Sequence, residues 1–369
     1  MSNGHFFSRI GLADMEKIHS AVIGWIFSED CQAYTLDEKS SVLNELAAIN
    51  PVTYKYINSI TETNNVDILI TASLPSGDDI QIIIENKIKT SQHSNQLAHY
   101  KSHYPNSKKY LYLTLIEENA KDEDWQNVSY NHLHAVLRKY LCVRPEHTDF
   151  VILNEYLLSV ERLVHIKDDF LENHLKYPNV FTDGWKKKEM KDLSDFIARN
   201  QLETIFQKMF FREIIEKVKE RQPEIEKLEC AIGESHGNAE VTLWGIKATD
   251  RNGDVWFDLA FQNGTFKIAI SKNYWDNSKN ILERSISELT CEWTDIFKKA
   301  ETEWSGWRCH APRSRPRISL CKNIKKHNDI IWYQLDKESI IELWQEQFIQ
   351  ALRIKDYLIK AYEEKKMSG

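Results

Sequence analysis

The chain has 369 residues, 42% of them hydrophobic and 28% charged, which provides for a packed core and argues against disorder. A formal net charge of -7 opposes a surface that is basic all over, yet it leaves room for a local basic groove beside an acidic metal site. The six cysteines form no C-x-x-C pair and read as free thiols. No apolar run reaches signal-peptide or bilayer-spanning length, so a soluble, cytoplasmic protein is expected.

In chain order, Ala13 to Phe27 is predicted as a helix. Ile18, Val22, Trp25 and Ile26 recur at helical spacing, with Glu16 and His19 on a neighbouring face. Leu36 to Ile49 is a second helix, ended by Asn50-Pro51. Three strands follow, over Thr53 to Ile60, Val66 to Ser73 and Ile80 to Lys87, with Pro75-Ser76-Gly77-Asp78 as the turn before the third. The run Ile82-Ile83-Ile84 is apolar on both faces, as in a central strand. A helix over Thr90 to His103, a strand over Lys109 to Ile116, and helices over Asn131 to Tyr140 and Phe150 to His165 complete the pattern. This order predicts an α/β domain with a central mixed sheet flanked by helices, over residues 1–168.

From 169 to 369 the texture changes and a second, α+β domain is expected. Ser194 to Glu220 reads as a long amphipathic helix. Val241 to Ala248, Val255 to Phe261 and Phe266 to Ser271 read as strands, joined by Arg251-Asn252-Gly253-Asp254 and by Gln262-Asn263-Gly264-Thr265. Ser285 to Glu303 and Glu338 to Glu364 are helices. Tryptophan is dense here, and its stripe fits a core better than a platform for stacking bases.

Three charged residues stand out. Asp67 opens an apolar strand, and Glu85 and Lys87 sit two apart at the end of the next one. A two-residue step in a strand puts both side chains on one face. Charge at the end of a doubly buried strand is costly unless something uses it. Two carboxylates can hold Mg²⁺ or Mn²⁺, hard cations that take oxygen ligands. Such a cation acidifies water and stabilises negative charge, and a lysine beside it can orient the water or hold charge on a phosphate.

Asp67, seventeen intervening residues and then Glu85-Asn86-Lys87 resemble the PD-(D/E)XK nuclease superfamily. Gln96-Leu97-Ala98-His99-Tyr100 is similar to the Q-x-x-x-Y element of its exonuclease-like branch, and the segment Glu16 to Ile26 to the first helix of a prokaryotic branch. The resemblance spans roughly residues 10 to 165. Val66 stands where the name-giving proline would be. What the resemblance implies is a restriction-endonuclease-like core. It also implies a Mg²⁺- or Mn²⁺-dependent nuclease, DNA ahead of RNA, with defence against foreign DNA among its usual roles. Asp67, Glu85, Lys87, Gln96, Tyr100 and Glu16 would be the site residues, and Asp67, Glu85 and the Asn86 carbonyl the metal ligands. Glu45 rivals Glu16 for the first-helix carboxylate, and His19 reads as structural or functional.

The second domain would recognise substrate or a partner. Arg308, Arg313, Arg315 and Arg317, stiffened by two prolines, suit phosphate contacts, with Lys322, Lys325 and Lys326 extending the track; the plainer reading is a solvated loop. The rival to a nuclease is a catalytically silent module that binds nucleic acid or protein on the same fold, and a third reading is an enzyme acting on another phosphoester. A homo-oligomer is compatible with the sequence.

Overall fold

The computed structural model describes residues 6–9, 15–88, 96–181, 196–235, 237–250, 253–270, 273–275, 281–283, 286–311, 317–324, 326–327 and 330–368. The chain divides into two compact units, Met1–Asn173 with Lys191–Ile205, and His174–Met190 with Phe206–Gly369.

The first unit opens with α1 (Phe6–Arg9), α2 (Glu16–Phe27) and α3 (Leu36–Leu46). Then come β1 (Tyr56–Thr63), β2 (Val66–Ser73), β3 (Asp79–Lys87), α4 (Gln96–His103), β4 (Lys109–Thr114), β5 (Trp125–Ser129), α5 (Tyr130–Tyr140) and α6 (Thr148–Glu172). The sheet runs β1-β2-β3-β4-β5. β1, β2 and β3 pair antiparallel, and β3, β4 and β5 parallel, so the triple-isoleucine strand is central and the sheet is mixed, as expected.

Alternation divides β3 between two layers. Ile83 packs with Val66, Leu69, Tyr110, Tyr112 and Trp125 against Leu97 and Tyr100 of α4. α2 lies on the other face, and it can approach β1 closely because Gly24 has no side chain. A Cβ there would overlap the Thr61 methyl, and the Ser59 hydroxyl donates to the Gly24 carbonyl at 2.5 Å. α3 starts at a capping box, Thr35 accepting from the Glu38 amide while the Glu38 carboxylate accepts from the Thr35 amide.

Several boundaries differ from the expectation. The first strand lies three residues later, at Tyr56–Thr63, because it follows its antiparallel register with β2. The second helix stops at Leu46, where Ala48 takes a positive φ. β5 has no counterpart among the expected strands. Its sequence, Trp-Gln-Asn-Val-Ser, lacks a clear alternation, and the strand exists because β4 supplies a parallel ladder.

The second unit contains α8 (Glu203–Arg221) and α9 (Pro223–Glu226), reached through α7 (Phe196–Arg199) of the first unit. Next are β6 (Glu229–Ser235), β7 (Asn238–Asp250), β8 (Gly253–Gln262), β9 (Thr265–Ile270), β10 (Asn273–Trp275) and β11 (Ile281–Glu283). The unit ends with α10 (Ile286–Glu303), β12 (Trp307–His310), β13 (Ile318–Asn323), β14 (Lys326–His327), β15 (Ile330–Ile331) and α11 (Lys337–Ser368). Its main sheet runs β12-β13-β9-β8-β7-β6 and is antiparallel throughout. The helix expected over Ser194 to Glu220 is broken around Gln201, which has a positive φ. Trp293, Trp307, Trp332 and Trp344 are buried, and Trp344 packs on Phe211, Phe261, Phe266 and Phe348, so these aromatics are core. No described helix is long and apolar enough to cross a membrane.

Candidate active site

The site forms where the sheet's order changes, at the end of β3. The register Ile68↔Ile84 brings Asp67 beside Glu85 one step further along, on the α4 face. Glu85 is fully buried and Lys87 nearly so, at 7% exposure. The Lys87 ammonium contacts Glu85 Oε1 at 2.5 Å, and the Gln96 amide donates to the same oxygen at 2.7 Å. Gln96 also donates to the Tyr100 hydroxyl at 2.6 Å, one turn further along α4. Helical i, i+4 spacing thus presents both side chains to one carboxylate. Glu85 Oε2 is buried with no hydrogen-bond partner among the described residues.

Electrostatics follow from burial. Burial raises the Glu85 carboxyl to about 7, and the neighbouring Asp67 charge pushes the same way. Burial also raises Asp67, although the Asn86 amide offsets part of this by donating to Asp67 Oδ2 at 2.8 Å. Burial works against the Lys87 ammonium, but Glu85 outweighs it and the pKa rises. The pair is therefore lopsided: Lys87 keeps its charge and Glu85 bears the strain of ionisation.

Glu16 reaches the same strand end from α2, its Oε1 accepting from the Ile88 amide at 2.9 Å. Its rival Glu45 is engaged elsewhere, accepting from Lys139 and from the Tyr140 hydroxyl, which lower its pKa. Asp67 and Glu16 thus each hold a backbone amide just past Glu85.

The Asn86 side chain points to the other face. Its amide donates to the Glu16 carbonyl and the Ser20 hydroxyl, both at 3.1 Å, and its carbonyl accepts from the Tyr130 hydroxyl at 2.7 Å. Ser20 follows Glu16 by one helical turn, a spacing visible in the sequence. No local signal marks Tyr130, which is 44 positions from Asn86. His19 is buried, bonded to the Tyr156 hydroxyl and edge-on to Tyr130 and Tyr156. Its placement is that of a packed core residue behind the sheet.

Among the described residues, no three His, Cys, Asp or Glu side chains gather as a ready metal cage. The donors nevertheless fit a hard divalent cation, which takes one or two carboxylates and completes its sphere with carbonyls and water. One buried and one half-buried carboxylate, both with raised pKa values and the buried one with an unbonded oxygen, make such a pair.

Of the predicted arginines, Arg308 is exposed on β12, the edge strand of the second sheet, and Arg317 is exposed just before β13. Trp307–His310 is therefore strand and not the loop that was expected there. Lys322 donates to Gln350. Arg313, Arg315 and Lys325 lie outside the described residues, as does the Lys326 side chain.

Comparison with known proteins agrees with this geometry. Residues 5–173 match the family profile of the PD-(D/E)XK nuclease superfamily. Searches of curated proteins and of solved structures returned no match. The matched segment contains the whole five-stranded sheet, Asp67, Glu85, Lys87, Gln96 and Tyr100, and the match supports the similarity of this part of the chain to the PD-(D/E)XK nuclease superfamily.

Proposed function

We propose that the chain is a metal-dependent nuclease that hydrolyses phosphodiester bonds in DNA. The observation that carries the reading is the meeting of Asp67, Glu85 and Lys87 on one face at the end of the central strand, with one Glu85 oxygen left unbonded. Asp67, Glu85 and the Asn86 backbone carbonyl would hold Mg²⁺ or Mn²⁺, which when bound makes water more acidic and offsets phosphate charge.

The chain's own residues divide the remaining work. Lys87 stays cationic and holds charge on the scissile phosphate or orients the attacking water. Gln96 fixes the Glu85 carboxylate, and Tyr100 fixes Gln96. Glu16 and Asp67 hold the strand end by its amides. The preference for DNA, and a role against foreign DNA, follow from what the superfamily usually does. The exposed Arg308 and Arg317, with Arg313 and Arg315, would contact phosphate.

The test is incubation of the full chain with plasmid, linear DNA and RNA, each with Mg²⁺, Mn²⁺ or EDTA. DNA cleavage that needs metal and is lost in Glu85→Ala supports the reading. Cleavage of RNA alone moves the substrate. Tight DNA binding without any cleavage replaces the enzyme with a binding module. For the arginines, the measurement is the salt dependence of DNA binding. Neutralising all four should flatten it by roughly one unit of slope for each phosphate they neutralise in the parent complex. An unchanged slope makes them solvated surface.

A further inference from the structure

His99 and His103 lie four residues apart on α4 and are both exposed. Their imidazole centroids are 4.3 Å apart. The His103 Nδ1 is 3.0 Å from the His99 carbonyl oxygen, which can only accept, so Nδ1 carries the proton and donates. In a neutral ring this leaves the Nε2 lone pair free and the ring orientation fixed, the arrangement that outer partners impose on metal-ligating histidines. Lys101, two residues from each histidine and so across the helix, is held by Asp122 and Asp124 and keeps its charge away.

We propose that His99 and His103 form a second, separate metal site, a two-imidazole chelate for a borderline transition ion such as Cu²⁺, Ni²⁺ or Zn²⁺. Two nitrogens bound at about 2 Å to one ion stand about 3 Å apart, a spacing compatible with ring centroids 4.3 Å apart. Imidazole selects these ions and carboxylate oxygens select Mg²⁺, so the two sites differ in chemistry as well as position. An i, i+4 chelate exists only while its turn is helical, so binding stabilises α4. Because α4 also carries Gln96 and Tyr100, the ion would tighten the helix that grips Glu85. The chelate itself does not depend on the nuclease reading.

The experiment titrates EDTA-stripped and dialysed full-length protein with CuCl₂, NiCl₂, ZnCl₂ and MgCl₂, read by calorimetry, by thermal unfolding and, for Cu²⁺, by electron paramagnetic resonance. The expected result is a tightest site of one ion per chain, with affinity in the order Cu²⁺ above Ni²⁺ and Zn²⁺ and with nitrogen coupling from two imidazoles. MgCl₂ should not compete for it. The chain has 13 histidines, so the decisive reading is a difference. His99→Ala and His103→Ala should each weaken Cu²⁺ binding at least ten-fold and abolish the metal-induced rise in unfolding temperature. Both positions are exposed, so the variants should unfold like the parent when EDTA is present. Glu85→Gln should leave the Cu²⁺ site intact, which separates this site from the carboxylate one. If His99→Ala/His103→Ala binds Cu²⁺ as tightly as the parent chain, or if Glu85→Gln removes the site, the assignment is wrong.

Discussion

The two faces of β3 carry opposite kinds of polar chemistry within three residues. On the α4 face, Glu85 is buried with one oxygen unbonded and a raised pKa, while Lys87 and Gln96 crowd its other oxygen. On the α2 face, the Asn86 amide has a partner for each of its groups, in Ser20, the Glu16 carbonyl and Tyr130. A satisfied buried network specifies structure, whereas an unsatisfied one persists where it is used. On the proposed function, the contrast separates a working face from a supporting one more sharply than burial does, since Glu85 and Asn86 are both buried.

The largest effects should come from breaking the working face. Asp67→Ala, Glu85→Ala and Lys87→Ala are each expected to lower DNA cleavage by about a thousand-fold or more, which corresponds to about 4 kcal/mol in the barrier. Far-ultraviolet circular dichroism should match the parent's, and each variant should still unfold cooperatively. Retention of full activity by Glu85→Ala ends the catalytic assignment of this face. A collapse of the fold in all three would make it structural, like the other.

Next in size is the pH dependence of stability in EDTA. The Glu85 carboxyl sits at about 7 in the fold because burial disfavours its charge, while an unfolded glutamate lies at about 4.3. The unfolded chain therefore loses this proton first. Below about pH 4 the group has no effect, and stability then falls as pH rises toward 7 and stays low above it. The loss is on the order of a few kcal/mol at most. Urea unfolding at pH 5 and pH 8 measures it, and Glu85→Gln should reduce the difference. Mg²⁺ should stabilise the parent more at pH 8 than at pH 5, because it competes with the proton for the carboxylate. A parent chain as stable at pH 8 as at pH 5 means that Glu85 ionises freely.

The supporting face should respond in stability. Asn86→Ala strands the Tyr130 hydroxyl and Ser20 behind the sheet, and is expected to cost about 1–3 kcal/mol. A chain equally stable without the amide would erase the distinction between the faces.

The working face is far more legible in sequence than the supporting one. Asp67, Glu85, Lys87, Gln96 and Tyr100 lie within 34 positions, and strand and helix periodicity alone aligns them. Val66–Ser73 matches its expected bounds to the residue, because its hydrophobic run and both flanking turns are local. Tyr130 is invisible as a partner, since its bond to Asn86 depends on where α5 lands after β4 and β5. β5 itself escapes for the same reason. β12 escapes because arginine and proline dominate the sequence around a short edge strand whose ladder partner is β13. The strands that escape a sequence reading carry no clear hydrophobic alternation or run of their own, and those it finds do.

The smallest and sharpest test applies one chemical change to each face. Tyr100 and Tyr130 are both buried, and in each the hydroxyl meets a side-chain amide, of Gln96 on the working face and Asn86 on the supporting one. Tyrosine to phenylalanine removes one oxygen and leaves the ring packing nearly unchanged. At Tyr130 the hydroxyl is the donor to a buried carbonyl that has no other partner among the described residues, so Tyr130→Phe should cost about 1 kcal/mol of stability. Cleavage should hold within a few-fold, because the Asn86 amide still bonds Ser20 and Glu16. At Tyr100 the hydroxyl accepts from Gln96, whose amide retains Glu85 as a partner, so the loss to the fold should be smaller. Cleavage should fall more at Tyr100, by up to about ten-fold, because Gln96 then orients Glu85 less firmly. Parallel unfolding and cleavage measurements on the two variants should therefore cross, with stability lower at Tyr130→Phe and activity lower at Tyr100→Phe. If both variants lose activity and stability in the same proportion, the strand end responds as a single unit and its two faces have no separate roles.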